Sequence, residues 1–110
     1  MGERVHVFTH LSRLYPHGSS IYATYLYRIA SSGDRQADAA ETLRRWQVLK
    51  HAASQVILSH GGTISHQHGV GTDHLHYLEQ EKGPLGVAVL GDLCRSFDPQ
   101  EIMNPGKLVP

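Results

Sequence analysis

Between Arg35 and Ser59 the chain has neither proline nor glycine, and Ala, Leu, Arg, Gln and Glu dominate. Apolar residues recur there at three-to-four spacing: Ala39, Leu43, Trp46, Leu49/Lys50, Ala53 and Val56/Ile57. That period predicts one amphipathic helix, about 37 Å long at 1.5 Å per residue. Ser31-Ser32-Gly33-Asp34 supplies capping residues before it, and His60-Gly61-Gly62 stops it with a glycine able to adopt a left-handed cap. The stripe, Trp46 included, is expected to be core. With 110 residues in all, one helix of this size leaves room for a single domain and little else.

Before the helix the composition changes. Val5-His6-Val7-Phe8 and Ser20 to Ile29 are rich in tyrosine, threonine and β-branched residues, which suit a pleated surface. Tyr15-Pro16-His17-Gly18-Ser19 between them is turn material. Tyr25 and Tyr27 share one face of the second strand, and Tyr22, Thr24 and Leu26 the other. Neither face is purely polar, so this strand is expected inside a sheet or covered on both sides. After the long helix, Thr63 to Gly71 reads as a short strand entering a glycine-bearing loop. A short helix near Leu75–Glu81 and a second one from Pro84 to about Phe97 follow. Asp98-Pro99-Gln100-Glu101 resembles a helix start, and Asn104-Pro105-Gly106-Lys107 a turn. The class is α+β, with helices on one side of an antiparallel sheet.

Ten basic and ten acidic residues leave no net charge, which argues against a nucleic-acid partner. No apolar run reaches membrane-span length, and Met1-Gly2-Glu3-Arg4-Val5 carries no hydrophobic signal core. The expected location is cytoplasmic. Cys94 is the single cysteine, so no internal disulfide or multi-cysteine metal site can form. Flanked by apolar residues, it is expected to be buried and inert. The abrupt start of the first strand and the loop-like residues Met103–Pro110 suggest one part of a larger enzyme.

Histidine is the anomaly: nine occur, five of them from His60 to His76. If residues 64–68 are extended, His66 and His68 share a face and Gln67 points away. Such a pair suits proton transfer or metal binding, although a pair of ordinary, hydrogen-bonded histidines fits the spacing too. His74 and His76, like His6, His17 and His51, are expected to be solvated. Gly69 and Gly71 permit close backbone approach to a ligand, but no phosphate-loop or dinucleotide fingerprint completes them. Tyr15 and Tyr22, across a turn from one another, can both point into a site.

At Gly61-Gly62-Thr63-Ile64-Ser65-His66-Gln67-His68-Gly69-Val70-Gly71 the sequence resembles the C-terminal domain of FAD-linked oxidases of the vanillyl-alcohol-oxidase superfamily. Phe97-Asp98-Pro99-Gln100-Glu101-Ile102-Met103-Asn104-Pro105-Gly106-Lys107 looks like the same family's closing motif. The resemblance implies that residues 1–96 form the C-terminal part of a ferredoxin-like cap (substrate) domain. Residues 97–110 would then be a tail returning to an FAD-binding domain outside this chain, where most of the FAD is held. In the family's metal-using, glycolate and D-2-hydroxyacid dehydrogenase branch, two histidines and a glutamate bind a divalent ion. Those places here hold Tyr15, Tyr22 and Gln67, which implies no metal.

The alkyl-dihydroxyacetonephosphate-synthase-like branch is the nearer likeness, with its tyrosine at the place of Tyr22 and a histidine run at His66-Gln67-His68. Carried over, His66, His68 and Tyr22 are catalytic proton carriers, and Asn104, Gly69 and Gly71 lie toward the flavin. Tyr15, Ser20 and Gln67 face a small-molecule or lipid-like substrate. Gln67 departs from the branch, since an amide cannot exchange a proton near neutral pH. Asn104-Pro105-Gly106-Lys107 is the ending of the oxidase and dehydrogenase branches more than of the synthase. The resemblance thus implies an FAD-dependent oxidoreductase or ether-lipid transferase, inactive as this isolated chain. A 2-hydroxy-acid dehydrogenase with a metal-free site and a stand-alone His-rich binding module are the alternatives. A homodimer through exposed apolar surface and membrane association of the intact enzyme stay open.

Overall fold

The computed structural model describes residues 4–109; the sequence readings that fall on Met1–Glu3 and on Pro110 lie outside the described residues. The elements run β1 (His6–Tyr15), β2 (Gly18–Leu26), α1 (Arg35–Ser59) and α2 (Gly71–Phe97). The architecture is therefore α+β with an antiparallel sheet, as the sequence predicts. The chain divides into two compact units, Met1–His51 and Ala52–Pro110.

In the first unit β1 and β2 form a two-stranded antiparallel sheet. Tyr15 pairs with Gly18 across Pro16-His17, His10 with Tyr22 and His6 with Leu26. Between Leu11, opposite Ile21, and Arg13, opposite Ser20, the register slips by one residue at Ser12. β1 is thus longer than the sequence reading. The expectation that β2 is interior or covered on both faces is not met: its one neighbour among the described residues is β1. Ala23 and Tyr25 are half-buried, whereas Tyr22, Thr24 and Leu26 on the other face are exposed.

α1 has the predicted limits. Asp34 Oδ1 accepts the backbone N–H groups of Gln36 (2.9 Å) and Ala37 (3.2 Å), satisfying donors that the first turn leaves free. Asp38 reaches back to the N–H of Ser32 at 2.7 Å and of Gly33 at 3.3 Å. The segment leaving β2 is tied to the helix by Ala30 N–H donating to Thr42 Oγ1 (3.0 Å) and by Arg45 Nη1 donating to the Arg28 carbonyl (2.9 Å). These ties rotate the covered face toward Thr42, Arg45 and Leu49, all half-buried. The predicted core stripe is consequently open: Leu43 is 55% and Trp46 41% exposed. With Tyr27, Ile29, Ala30 and Ala39 these two line an apolar groove.

In the second unit Ser54 of α1 and Tyr77, Leu78 and Gly91 of α2 are buried. The side-chain amides of Gln55 and Gln80 exchange two hydrogen bonds of 3.4 Å between the helices. α2 is broken at Gly83 (φ 74°, ψ 163°), followed by Pro84, so the two predicted helices are present end to end. Two local expectations fail. No strand forms over Thr63–Gly71, and no helix starts at Asp98. After Pro99 the next proline and glycine, Pro105 and Gly106, come within seven residues, too short a window to repay helix nucleation.

Candidate functional site

The histidine loop begins where α1 ends. Gly62 N–H donates to the Ile57 carbonyl (2.9 Å) and Gly61 N–H to that of Leu58 (3.0 Å). This is the paired bonding of a left-handed C-cap, with Gly61 at φ 71°. His60 sits at this cap, its Nδ1 2.8 Å from the Val56 carbonyl and 3.1 Å from Ser59 Oγ.

Beyond the cap, Glu81 of α2 holds the loop. Its Oε1 accepts from Thr63 Oγ1 and its Oε2 from Ile64 N–H, both at 2.8 Å, and Lys82 Nζ lies 2.8 Å from Oε1. The carboxylate side chain is 11% exposed. Burial alone would raise its pKa, but the hydrogen bonds from Ile64, Lys82 and Thr63 outweigh it and hold the group below its ordinary value. Glu81 takes the Ile64 N–H, and left-handed backbone at Gln67 and Gly69 interrupts the extended run, so no strand ladder forms here. Ser65 Oγ then donates to the Gly69 carbonyl, and Gln67 adopts φ 65°. His66, Gln67 and His68 are exposed on this bend and do not share a strand face. His74, expected to be solvated, is half-buried, with Nδ1 3.0 Å from the Val70 carbonyl.

After α2 the tail folds back. Asp98 Oδ2 accepts Met103 N–H (2.7 Å) and its carbonyl accepts Glu101 N–H (3.0 Å). Left-handed residues at Glu101, Asn104 and Gly106 complete the turns. Together they enclose a cavity of about 430 Å³ whose lining includes Val70, Gly71, Cys94, Arg95, Asn104 and Lys107. Gly71 and Asn104, two residues that the resemblance assigns to the cofactor side, thus share one cavity, while Gly69 is not among its lining residues. Cys94 is half-buried there, not fully buried as expected.

The remaining assigned residues lie on the hairpin. Residues 10, 20 and 22 share one face by strand parity and register. Without an extra residue Tyr15 would fall on the opposite face; the bulge at Ser12 brings Arg13 and Tyr15 onto the face of Ser20 and Tyr22. His10 and Tyr22 stack, with ring centroids 5.2 Å apart and planes at 25°. The sequence alone singles out neither His10 nor Glu81. The first needs the hairpin register and the second needs the path of the loop across α2. Among the described residues no group of three or more His, Cys, Asp or Glu side chains is placed to hold a metal.

Residues 17–108 match the family described as FAD linked oxidases, C-terminal domain. This chain belongs to that family. Its members among curated proteins include alkyldihydroxyacetonephosphate synthase of Trypanosoma brucei brucei, 28% identical over 99% of this chain and 16% of the relative. The Dictyostelium discoideum protein of the same name is 29% identical over 94% of this chain and 16% of its own length. Mitochondrial D-lactate dehydrogenase [cytochrome] of Arabidopsis thaliana is 40% identical over 72% of this chain and 13% of the relative. The chain thus spans about one sixth or less of each of these three relatives. No solved structure matches.

Proposed function

We propose that this chain is the C-terminal, substrate-facing part of an FAD-dependent enzyme of the alkyl-dihydroxyacetonephosphate-synthase-like branch. Residues 1–96 complete the cap and residues 97–110 lead back to an FAD-binding domain of the same polypeptide. The observation that carries the reading is the cavity shared by Gly71 and Asn104, which joins the ends of both family motifs in one place. Its residues fit a flavin edge. The Asn104 amide can donate and accept, Lys107 offers a cation, and nothing lies within 4 Å of where a Cβ on Gly71 would stand, so the backbone there can be approached closely. The flavin, when bound, supplies the electrophilic and redox-active centre.

The chain's own residues handle protons and substrate. His66 and His68 accept or donate a proton at an imidazole nitrogen, and Tyr22 relays through its phenol. Gln67 orients substrate through its amide, with Tyr15 and Ser20 offering hydroxyl groups. On this reading the substrate would be a small or lipid-like molecule rather than a nucleic acid, and the proposed location of the intact enzyme is the cytoplasm. No helix among the described residues is long and apolar enough to cross a membrane.

In the intact flavoenzyme His68→Ala should lower turnover by 10²–10⁴-fold, the usual contribution of a general acid or base. Unchanged turnover would overturn the role. The 40% identity to a D-lactate dehydrogenase favours a second reading, a 2-hydroxy-acid dehydrogenase with no metal. Stoichiometric flavin bleaching by a 2-hydroxy acid without oxygen would select it over the synthase-like reaction.

A further inference from the structure

We infer that the open face of the hairpin binds the carboxylate or phosphate group of the substrate, with Arg13 as the residue that reads its charge. Calling this anion the substrate rests on the function proposed above; the anion site itself does not.

Three observations meet here. From Arg4 to Gly33 the sequence contains no aspartate or glutamate at all, yet it carries Arg4, Arg13 and Arg28. Of the ten acidic residues that bring the whole chain to zero net charge, Glu3 precedes this stretch and nine follow it. The bulge at Ser12 then selects which arginine joins the assigned residues: it turns Arg13 onto the face of His10, Tyr15, Ser20 and Tyr22. Every polar side chain named on that face can donate a hydrogen bond, and none is a carboxylate that would neutralise the guanidinium. Arg13 forms no ion pair among the described residues, whereas Arg44, Arg45 and Arg95 each pair with a carboxylate of their own helix. Finally, the face is open, with Tyr15 44% and Tyr22 51% exposed.

The physical consequence follows from geometry and charge together. A guanidinium presents two parallel N–H donors that match the oxygens of a carboxylate or phosphate, and neutral hydroxyl donors beside it add directional bonds without competing charge. An uncharged alcohol of the same shape gains only the hydroxyl contacts. The face should therefore separate anionic from neutral ligands, which the chain's neutral overall charge would not suggest.

The test is nuclear magnetic resonance titration of the isotopically labelled chain with glycolate, with inorganic phosphate, and with glycerol as the neutral control. The expected result is saturable movement of the Arg13 side-chain Nε–H and of the Tyr15, Ser20 and Tyr22 amides with both anions, and none with glycerol. Arg13→Gln should weaken anion binding at least tenfold, as loss of a charge-assisted pair would. Tyr22→Phe should weaken it less and leave the Arg13 response in place. A cross-strand contact between His10 and the aromatic ring facing it, retained in each variant, shows that the hairpin is intact. Equal movement at Arg4, Arg13 and Arg28, or undiminished binding by Arg13→Gln, would overturn the inference. No flavin is needed, so failure of the enzyme reading, shown by His68→Ala turnover, is scored separately.

Discussion

The cap at the end of α1 offers a sharp perturbation, because two adjacent glycines are required there for different reasons. Gly61 sits at φ 71° with nothing within 4 Å of a built Cβ, so Gly61→Ala meets only left-handed strain, about 1–2 kcal/mol. Gly62 has no such φ, but a Cβ there would stand 3.0 Å from Ile57 Cγ2 and 3.2 Å from the Ile57 carbonyl oxygen. The methyl can yield a little; the oxygen is backbone in a helix and accepts the Gly62 N–H. Gly62→Ala should therefore cost about 1–3 kcal/mol as overpacking. It should also lift Thr63 and Ile64 off Glu81, so the Ile64 amide loses protection from hydrogen exchange. Urea unfolding followed by far-ultraviolet circular dichroism measures the first effect. Adding Ile57→Leu to Gly62→Ala removes the Cγ2 contact but not the oxygen, and should recover only part of the loss. Gly61→Asn, tolerant of the left-handed region, should cost less than Gly61→Ala. If Gly62→Ala stays within the roughly 0.5 kcal/mol of an ordinary surface change, the account of the cap is wrong.

At the other end of the same helix, Asp34→Ala removes the acceptor of two first-turn N–H groups and should cost about 1 kcal/mol by the same unfolding assay. Acid should weaken the fold in a defined window. Glu41, hydrogen-bonded by Arg44 and then Arg45, is lowered to about 2; Asp38 is lowered chiefly by the Ser32 N–H, and Glu81 is lowered too. Carboxyls depressed in the folded state contribute fully above their unfolded values, near pH 4, and lose that contribution as pH falls through the folded ones. Stability measured by urea unfolding should fall between about pH 4 and 2, and Glu81→Gln should reduce the acid-dependent part.

What the sequence reveals and what it hides divide along a physical line. α1 is legible to the residue because its caps and its lack of breakers are local. The Gly83 break is legible for the same reason, since glycine and proline punctuate independently of context. The histidine loop is legible as chemistry but not as shape. His66 and His68 invite the strand reading, which fails because Glu81, seventeen residues beyond Ile64, takes its N–H and Gln67 and Gly69 adopt left-handed backbone. The turn that separates Tyr15 from Tyr22 is visible in the sequence, yet their common face depends on one extra residue at Ser12. A bulge leaves no composition signal. Trp46 fails as core because periodicity finds an apolar face without saying what lies against it.

Leu43 and Trp46 border an open apolar groove, and Phe97 (87%), Leu85 (78%) and Leu14 (76%) are exposed. Full burial of such a side chain contributes about 1.5–3 kcal/mol, so much of the stability available to this sequence is unrealised within it. The Trypanosoma brucei brucei relative is about six times longer, and a proposed FAD-binding domain and remaining cap are the surfaces that would cover these residues in an intact enzyme. Alone, the chain should cover them with copies of itself. Sedimentation velocity should show a weight that rises with concentration, and Leu43→Lys should shift the distribution toward monomer with the helical signal of α1 retained. A monomer at all accessible concentrations, unaffected by Leu43→Lys, would mean that these side chains find cover within a single chain, and that the exposed stripe is not a docking face.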